Sequence, residues 1–247
     1  MFPVNLPWTR LVRYSSSADG AVKYGEPIVA QNADIGQLAQ EGKLRTVFRL
    51  YGPLEPKDVP IIRCIGLNYK THILETGRFL PTCPTVFTKP GPAVTDHDSP
   101  DPIPKIAQDQ CDYEGELVIV IGRDGKNISA ENAVDYVAGY TVGNDIFAGD
   151  WQREAGKAGP YAPLGPCLIR RDLLNEANTL SLHPFVNGEV RQESHTSDLC
   201  YGVRKLVEFC SQVGLFMKPP NSLKNRDEVG VKIESIGTLR DTKAFEE

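Results

Sequence analysis

The feature that most constrains this chain is a run of β-branched and aliphatic residues, 117–121, that begins just after two carboxylates, Glu114 and Glu116. Side chains two positions apart on a strand point to the same face, so both carboxylates can reach one point in space. A second strand-like run, residues 140–144, ends at a third carboxylate, Asp145. The pattern therefore predicts two strands that end in acidic side chains.

Three convergent carboxylates are a ligand set for a hard cation. Oxygen ligands of this kind suit Mg²⁺ or Mn²⁺ and disfavour a metal that prefers thiolate. The competing interpretation is that Glu114 and Glu116 form the solvated face of a half-buried strand and that Asp145 lies in a turn. Both interpretations fit the spacing.

A candidate general base lies upstream, in the segment GLNYKTHILE at residues 66–75, which follows the apolar run 61–65. Residues three apart lie on one face of a helix, so His72 and Glu75 can meet. An imidazole oriented by a carboxylate is the arrangement that a general base needs.

Length and composition exclude several classes of protein. The chain has 247 residues, 40% of them hydrophobic, and a net charge of -5, so it can bury a full core but offers no basic surface for nucleic acid or an anionic membrane. No apolar stretch is long enough to span a bilayer, and the six cysteines include no Cys-x-x-Cys pair. We expect a cytoplasmic protein with reduced thiols.

Turn residues and prolines divide the chain. Prolines at 53, 56 and 60 separate a small N-terminal β module, residues 1–58, from residues 59–247. Asp19-Gly20 predicts a hairpin in that module, and Asn187-Gly188 predicts a second hairpin near the end of the chain. Residues 196–198 are expected to cap an amphipathic helix, and residues 228–239 to form one alternating strand.

Taken together, the motifs resemble the fumarylacetoacetate hydrolase superfamily. Seven of them occur in the order that the family shows, from residue 66 to residue 241, and so the chain is identified as similar to its acylpyruvase-like and oxaloacetate decarboxylase-like catalytic domains. The motifs are GLNYKTHILE, FTKP at 87–90, DYEGELVIVIG at 112–122, GYTVGNDIFAGDWQ at 139–152, YAPLGP at 161–166, VNGEVRQ at 186–192 and IESIGTLRD at 233–241.

The resemblance implies a fold, a cofactor and further site residues. The fold it implies is mainly β with short helices, a coiled, barrel-like β-sheet roll that is usually a homodimer. One Mg²⁺ or Mn²⁺ per subunit would lie on the three carboxylates, with His72 and Glu75 as catalytic residues. Asn68, Tyr69 and Gln152 would contact the substrate, and Lys89 would either contact the substrate or form a structural salt bridge.

The sequence also departs from the family at two places. Gly149 stands where an arginine is usual, and Lys157 is the only lysine near the position of a catalytic lysine, one residue short of the usual spacing to Pro163. Lys157 is either that catalytic lysine or a solvated lysine in a Gly-rich loop. No Gly-Thr-Pro loop occurs in the chain. Either the protein lacks the segment that carries the catalytic lysine and the segment with the Gly-Thr-Pro loop, or the sequence omits residues at those two places.

The resemblance implies metal-dependent chemistry on small 2-oxo or 2,4-dioxo acids. The expected activity is carbon–carbon bond hydrolysis, with His72 activating a water, or decarboxylation of an oxaloacetate-like acid. One alternative is an isomerase of 2-hydroxy-diene dioates in which His72 moves a proton. Another is a degenerate family member that binds a metal without turnover. The acidic net charge argues against nucleic-acid or membrane partners in each case.

Overall fold

The computed structural model describes residues 7–18, 20–149, 161–212, 228–233 and 237–242, the last two ranges as backbone only. The chain forms two compact units, Met1–Gln212 and Val213–Glu247. The first is mainly β with short helices, as the sequence predicts. Gln152 and Lys157 lie outside the described residues. In the part of the chain described here, no helix is long and apolar enough to cross a membrane.

The strands are short, and most are two to six residues long. Their bounds are β1 Arg10–Ser15, β2 Lys23–Gly25, β3 Arg49–Tyr51, β4 Ile61–Gly66, β5 Thr85–Pro90, β6 Val94–Thr95, β7 Cys111–Asp112, β8 Gly115–Ile121, β9 Val137–Asn144, β10 Phe147–Ala148, β11 Ala162–Arg170, β12 Ser181–Leu182, β13 Phe185–Val186, β14 Glu189–Val190, β15 Ser194–His195, β16 Glu228–Ile233 and β17 Gly237–Thr242. The helices are α1 Ile35–Gln40, α2 Lys70–Glu75, α3 Arg171–Leu174 and α4 Val203–Gln212.

The main sheet has the order β2-β1-β11-β9-β8, with β3 beside β1 and β6 parallel to β11. Strand β9 lies between β8 and β11 and pairs antiparallel with both. Strands β4 and β5 form a separate antiparallel pair. The β8–β9 pair carries the predicted carboxylates, and β5 carries Lys89.

The sheet is held by apolar clusters, and strand β9 takes part in two of them. One contains Leu11, Val120, Ala138 and Leu168, which come from β1, β8, β9 and β11. The other includes Tyr140 of β9 together with Val203 and Val207 of α4. Because β9 contributes to both clusters, its backbone is fixed on each side of the strand.

The N-terminal segment is part of this sheet. Strand β1 pairs with β2 and β3, and it also pairs with β11 through Arg10 and Leu11. The predicted β1–β2 hairpin is present, and its turn contains a hydrogen bond from Gly20 N to Ser17 O of 3.1 Å. The boundary at residue 58 stays a prediction, since the first compact unit runs through it to Gln212.

Two local predictions need correction, and one is confirmed. Asn187 and Gly188 have φ of 53° and 81°, the backbone of a tight hairpin turn between β13 and β14. Residues 196–198 do not cap α4 as predicted: they form a separate 3₁₀ turn, and α4 begins at Val203. Residues 228–239 are not one strand, because β16 turns back onto β17.

Candidate metal centre

The three carboxylates lie on one face of the β8–β9 pair. Glu114 and Asp145 stand opposite each other and exchange backbone hydrogen bonds of 2.8 and 3.1 Å. Glu116 follows two residues later and pairs with Gly143. A Cβ at Gly143 would lie 2.6 Å from Val118 Cγ2. The glycine therefore keeps this face open opposite Glu116.

The charges on this face repel one another. Burial, followed by Glu114 and Asp145, raises the pKa of Glu116 from 4.5 to about 8. Burial, then Asp145 and Asp112, raises the pKa of Glu114 to about 7, while Lys89 opposes the rise. The effect is larger for Glu116, the less exposed of the two residues, than for Glu114 at the strand entry. A bound cation would remove this repulsion.

Lys89 holds Asp145 from the neighbouring strand pair. Its side chain is 1% exposed, and its ammonium forms an ion pair with Asp145 Oδ1. The same ammonium donates hydrogen bonds of 2.8 Å to the carbonyl oxygens of Ile146 and Tyr161. These three partners use all three of its hydrogens. Of the two roles that the sequence leaves open for Lys89, the structure shows the salt bridge.

The residues present fit a hard divalent cation, although their side chains do not enclose one as they stand. Among the described residues, no three His, Cys, Asp or Glu side chains are grouped closely enough to hold an ion. Asp145 Oδ1, however, is buried, and the Lys89 ammonium is its one partner among the described residues. Such an acceptor, beside two carboxylates that are costly to ionise, is a suitable donor set for Mg²⁺ or Mn²⁺. The metal role of the three carboxylates stays a prediction.

Cys64 is a neighbour of this site that the sequence does not reveal. It lies on β4, and burial, together with the charges of Asp145 and Glu116, raises its pKa to about 12. The thiol therefore stays protonated at neutral pH and is a poor ligand. This chemistry again favours a cation that prefers oxygen.

The predicted base lies on α2. His72 and Glu75 are both exposed, while Ile73 between them is fully buried and anchors the helix. Within the described part of the chain, neither His72 nor Glu75 forms a side-chain hydrogen bond or ion pair. The orientation of His72 by Glu75 stays a prediction.

The two residues before α2 have different environments. The Asn68 side chain is buried and bonded to the backbone of Tyr201, which it both donates to and accepts from. The Tyr69 hydroxyl is buried without a hydrogen-bond partner in the described residues. Burial, then Glu116 and Asp198, raises the pKa of Tyr69, so its hydroxyl remains a donor at neutral pH. Tyr69 is thus the better placed of the two to meet a substrate.

Comparison with known proteins identifies the family of the chain. Residues 61–243 match the family model described as fumarylacetoacetate (FAA) hydrolase C-terminal. The chain is 36% identical to the oxaloacetate tautomerase YisK of Bacillus subtilis over 216 residues, which cover 77% of this chain and 71% of that protein.

Two further relatives cover nearly the whole chain. Caffeoylpyruvate hydrolase of Neonothopanus nambi is 31% identical over 287 residues, covering 98% of this chain and 95% of the relative. That alignment is longer than the 247-residue chain, so the relative has internal residues with no counterpart here. A solved structure of the 5-carboxymethyl-2-hydroxymuconate delta-isomerase of Mycobacterium smegmatis has a TM-score of 0.64 and 30% identity, covering 94% of this chain and 96% of that one.

Proposed function

Because the chain belongs to the fumarylacetoacetate hydrolase family, we propose that it is an enzyme acting on small 2-oxo or 2,4-dioxo acids with the help of Mg²⁺ or Mn²⁺. The substrates named for the relatives share one chemical unit, a carboxylate next to a carbon that is a ketone or its enol. Reactions next to such a carbon pass through an enol or enolate. A site that stabilises this enol or enolate can therefore catalyse more than one type of reaction.

The observation that supports the proposal best is the acidic face of the β8–β9 pair. Glu114, Glu116 and Asp145 lie on one face of two paired strands, and the pKa values of both glutamates are raised. Nothing in the folding of a sheet requires three carboxylates to be placed where they repel. A role in binding a cation explains why they are there.

Each of the site residues would have a separate role in the reaction. Glu114, Glu116 and Asp145 would hold the cation, which when bound supplies Lewis acidity toward the 2-oxo group. Lys89 keeps the Asp145 carboxylate in place through its ion pair. Tyr69, whose protonated hydroxyl has no hydrogen-bond partner in the described part of the chain, would donate a hydrogen bond to a substrate oxygen. His72, exposed on α2, would take up or return the proton.

The reaction type expected from the sequence is hydrolysis of a carbon–carbon bond or decarboxylation. In hydrolysis, His72 would remove a proton from water, and the water oxygen would bond to the distal carbonyl carbon as the adjacent carbon–carbon bond breaks. The electron pair of that bond would pass to the departing pyruvate unit as an enolate, which is then protonated. In decarboxylation, the bond to the leaving carboxylate breaks and no water is needed.

Keto–enol isomerisation is a second candidate, favoured by one specific observation. The chain is 30% identical to a structurally similar 5-carboxymethyl-2-hydroxymuconate delta-isomerase, and proton transfer at carbon needs a base but no attacking water. The 36% identity to an oxaloacetate tautomerase points the same way.

The first prediction is that turnover depends on a divalent cation and on Glu116. We expect the purified protein to turn over at least one of oxaloacetate, acetylpyruvate and fumarylpyruvate with Mg²⁺ or Mn²⁺, and to stop with EDTA. Glu116→Gln should lower kcat/KM by more than about 100-fold, because even outer partners of a metal site contribute about 10- to 100-fold. The measurement is absorbance of the enol together with assay of pyruvate.

The matched control is Glu193→Gln, an exposed glutamate of the same chain, which should leave the rate unchanged. Activity that persists with EDTA or in Glu116→Gln would refute the proposed metal site. Calorimetric binding of Mn²⁺ without turnover of any of the three acids would instead support the degenerate alternative.

A further inference from the structure

The segment before α2 is tied to a part of the chain far away in sequence. The N-cap position of α2 is Tyr69, whose side chain makes no capping hydrogen bond. The carboxylate of Asp198, 127 residues away from Thr71, supplies the missing acceptor: its Oδ2 receives the Thr71 backbone N–H at 2.9 Å. An unsatisfied N–H at the start of the helix is thus capped by a tertiary contact.

Further contacts join the same two segments. Asn68 donates from its side chain to Tyr201 O at 3.1 Å and accepts from Tyr201 N at 3.0 Å. Its backbone oxygen accepts from Cys200 N at 2.7 Å. Tyr69 and Leu199 form an isolated antiparallel bridge. Residues 198–201 therefore contact Asn68, Tyr69 and Thr71; we call residues 198–201 the clamp segment.

The clamp segment is itself attached to the core. Thr196, two residues before it, is buried and exchanges hydrogen bonds with Leu180, from Thr196 N to Leu180 O at 2.8 Å and from Leu180 N to Thr196 Oγ1 at 2.9 Å. On its other side α4 begins at Val203, which is 1% exposed in the apolar cluster. A segment anchored at both ends can hold its neighbour in a fixed position.

Tyr69 links the clamp segment to the acidic face. Its buried hydroxyl interacts electrostatically with Glu116 and Asp198, and it has no hydrogen-bond partner among the described residues. The position of this hydroxyl is set by the backbone of residues 68–71, because its own oxygen is not held. Movement of that backbone would move the Tyr69 hydroxyl and the His72 ring together.

We propose that Asp198 is a positioning residue of the active site, which fixes Tyr69 and the start of α2 in place through its hydrogen bond to Thr71. Asp198 acts through these residues and does not itself touch the substrate. The inference rests on the proposed function for its effect on turnover, but the contact itself can be tested without any activity.

The test compares Asp198→Ala with Asp198→Asn in the full chain. Asp198→Ala should lower kcat about 10- to 100-fold, the size of effect expected when reacting groups are displaced by about 1 Å. The Kd for Mn²⁺, measured by calorimetry, should change less than about twofold, because the carboxylates are on other strands. Asp198→Asn keeps an oxygen acceptor, and Asn caps helices about as well as Asp, so it should recover most of kcat.

Hydrogen exchange at the Thr71 amide gives a readout that does not need turnover. It should be several-fold faster in Asp198→Ala than in the wild type, and near the wild-type rate in Asp198→Asn. Glu193→Ala, which removes an exposed carboxylate five residues away, should change neither exchange nor kcat.

Three results would overturn the inference: an unchanged kcat in Asp198→Ala, a loss that Asp198→Asn does not recover, or a loss that follows weaker Mn²⁺ binding. If the wild type turns over none of the acids, the proposed function fails separately. The hydrogen-exchange rate at the Thr71 amide then tests whether Asp198 holds residues 68–71 in place. An unchanged rate in Asp198→Ala refutes that role of Asp198.

Discussion

At the scale of single residues, the site is governed by carboxylates that are costly to ionise. Glu116 is half-buried and faces Glu114 and Asp145, and its pKa is raised to about 8. Among the contacts of Asp145 in the described residues, the Lys89 ammonium is the one positive charge. That ammonium also donates hydrogen bonds to two carbonyl oxygens. Without a cation, Glu116 therefore carries a proton at neutral pH, and a cation must displace that proton to bind.

This protonation makes both metal affinity and stability depend on pH. A carboxyl group whose folded pKa is raised adds stability that is complete below its unfolded pKa, near 4.5, and is lost as the pH rises through about 8. We expect the metal-free protein to lose stability relative to Glu116→Gln, which stays neutral, by up to about 1.4 kcal/mol per pH unit between pH 5 and 8. Urea unfolding of both proteins measures this difference.

Affinity for Mn²⁺ should change in the opposite direction and rise from pH 6 to pH 8, because fewer protons must leave. Calorimetry at pH 6, 7 and 8 measures it. A stability difference between wild type and Glu116→Gln that does not vary with pH would contradict the raised pKa.

Lys89 provides a second prediction at this scale. Replacing one member of a buried ion pair leaves an uncompensated charge, so Lys89→Met should lower the free energy of unfolding by about 3–5 kcal/mol in metal-free protein. The double variant Lys89→Met with Asp145→Asn should recover part of that loss. As a control, Lys205→Met removes a surface pair with Glu208 and should leave the free energy of unfolding nearly unchanged. Urea unfolding measures the free energy of unfolding of each variant. If Asp145→Asn recovers none of the stability lost in Lys89→Met, the loss comes from packing and not from charge.

At the scale of elements, strand β9 determines where the site lies. Its register with β8 sets Gly143 opposite Glu116, and the residue after it, Asp145, exchanges hydrogen bonds with Glu114. Its other edge meets β11 so closely that a Cβ at Gly139 would lie 2.2 Å from the carbonyl oxygen of Ile169. Glycine at this position allows three strands to approach and fixes the register that aligns the carboxylates.

We therefore expect Gly139→Ala to destabilise the protein by about 1–3 kcal/mol, because the clash is with backbone that cannot rotate away. Gly66→Ala is the matched control: Gly66 also lies in a strand, β4, and an added Cβ would meet its nearest neighbours at 3.9 Å. The melting temperatures of the two variants, measured by thermal unfolding, test this expectation. Equal melting temperatures would show that β9 and β11 can separate without cost.

At the scale of the whole molecule, the family match and the compact units do not share boundaries. The match covers residues 61–243, which crosses the division between the two units at Gln212, while the main sheet includes β1 from before the match. The N-terminal strands therefore belong to the same sheet as the β8–β9 pair. The homodimer expected from the resemblance stays a proposal.

Much of this protein was predictable from local sequence, because its physical causes are local. The alternation of residues along β8 places Glu114 and Glu116 on one face, and Asn187-Gly188 adopts the positive φ values that a tight hairpin requires. Neither outcome depends on distant residues, since strand periodicity and turn geometry act over a few positions.

Tertiary structure alone decided the contacts between distant segments. The pairing of Lys89 with Asp145, the cap that Asp198 provides for α2, and the protonated Cys64 beside the carboxylates join residues far apart in sequence. Sequence spacing also could not show that residues 228–242 turn back on themselves, nor that His72 and Glu75 are exposed. The physical reason is that hydrogen bonds, burial and charge act through space, so the sheet register that brings these side chains together determines their chemistry.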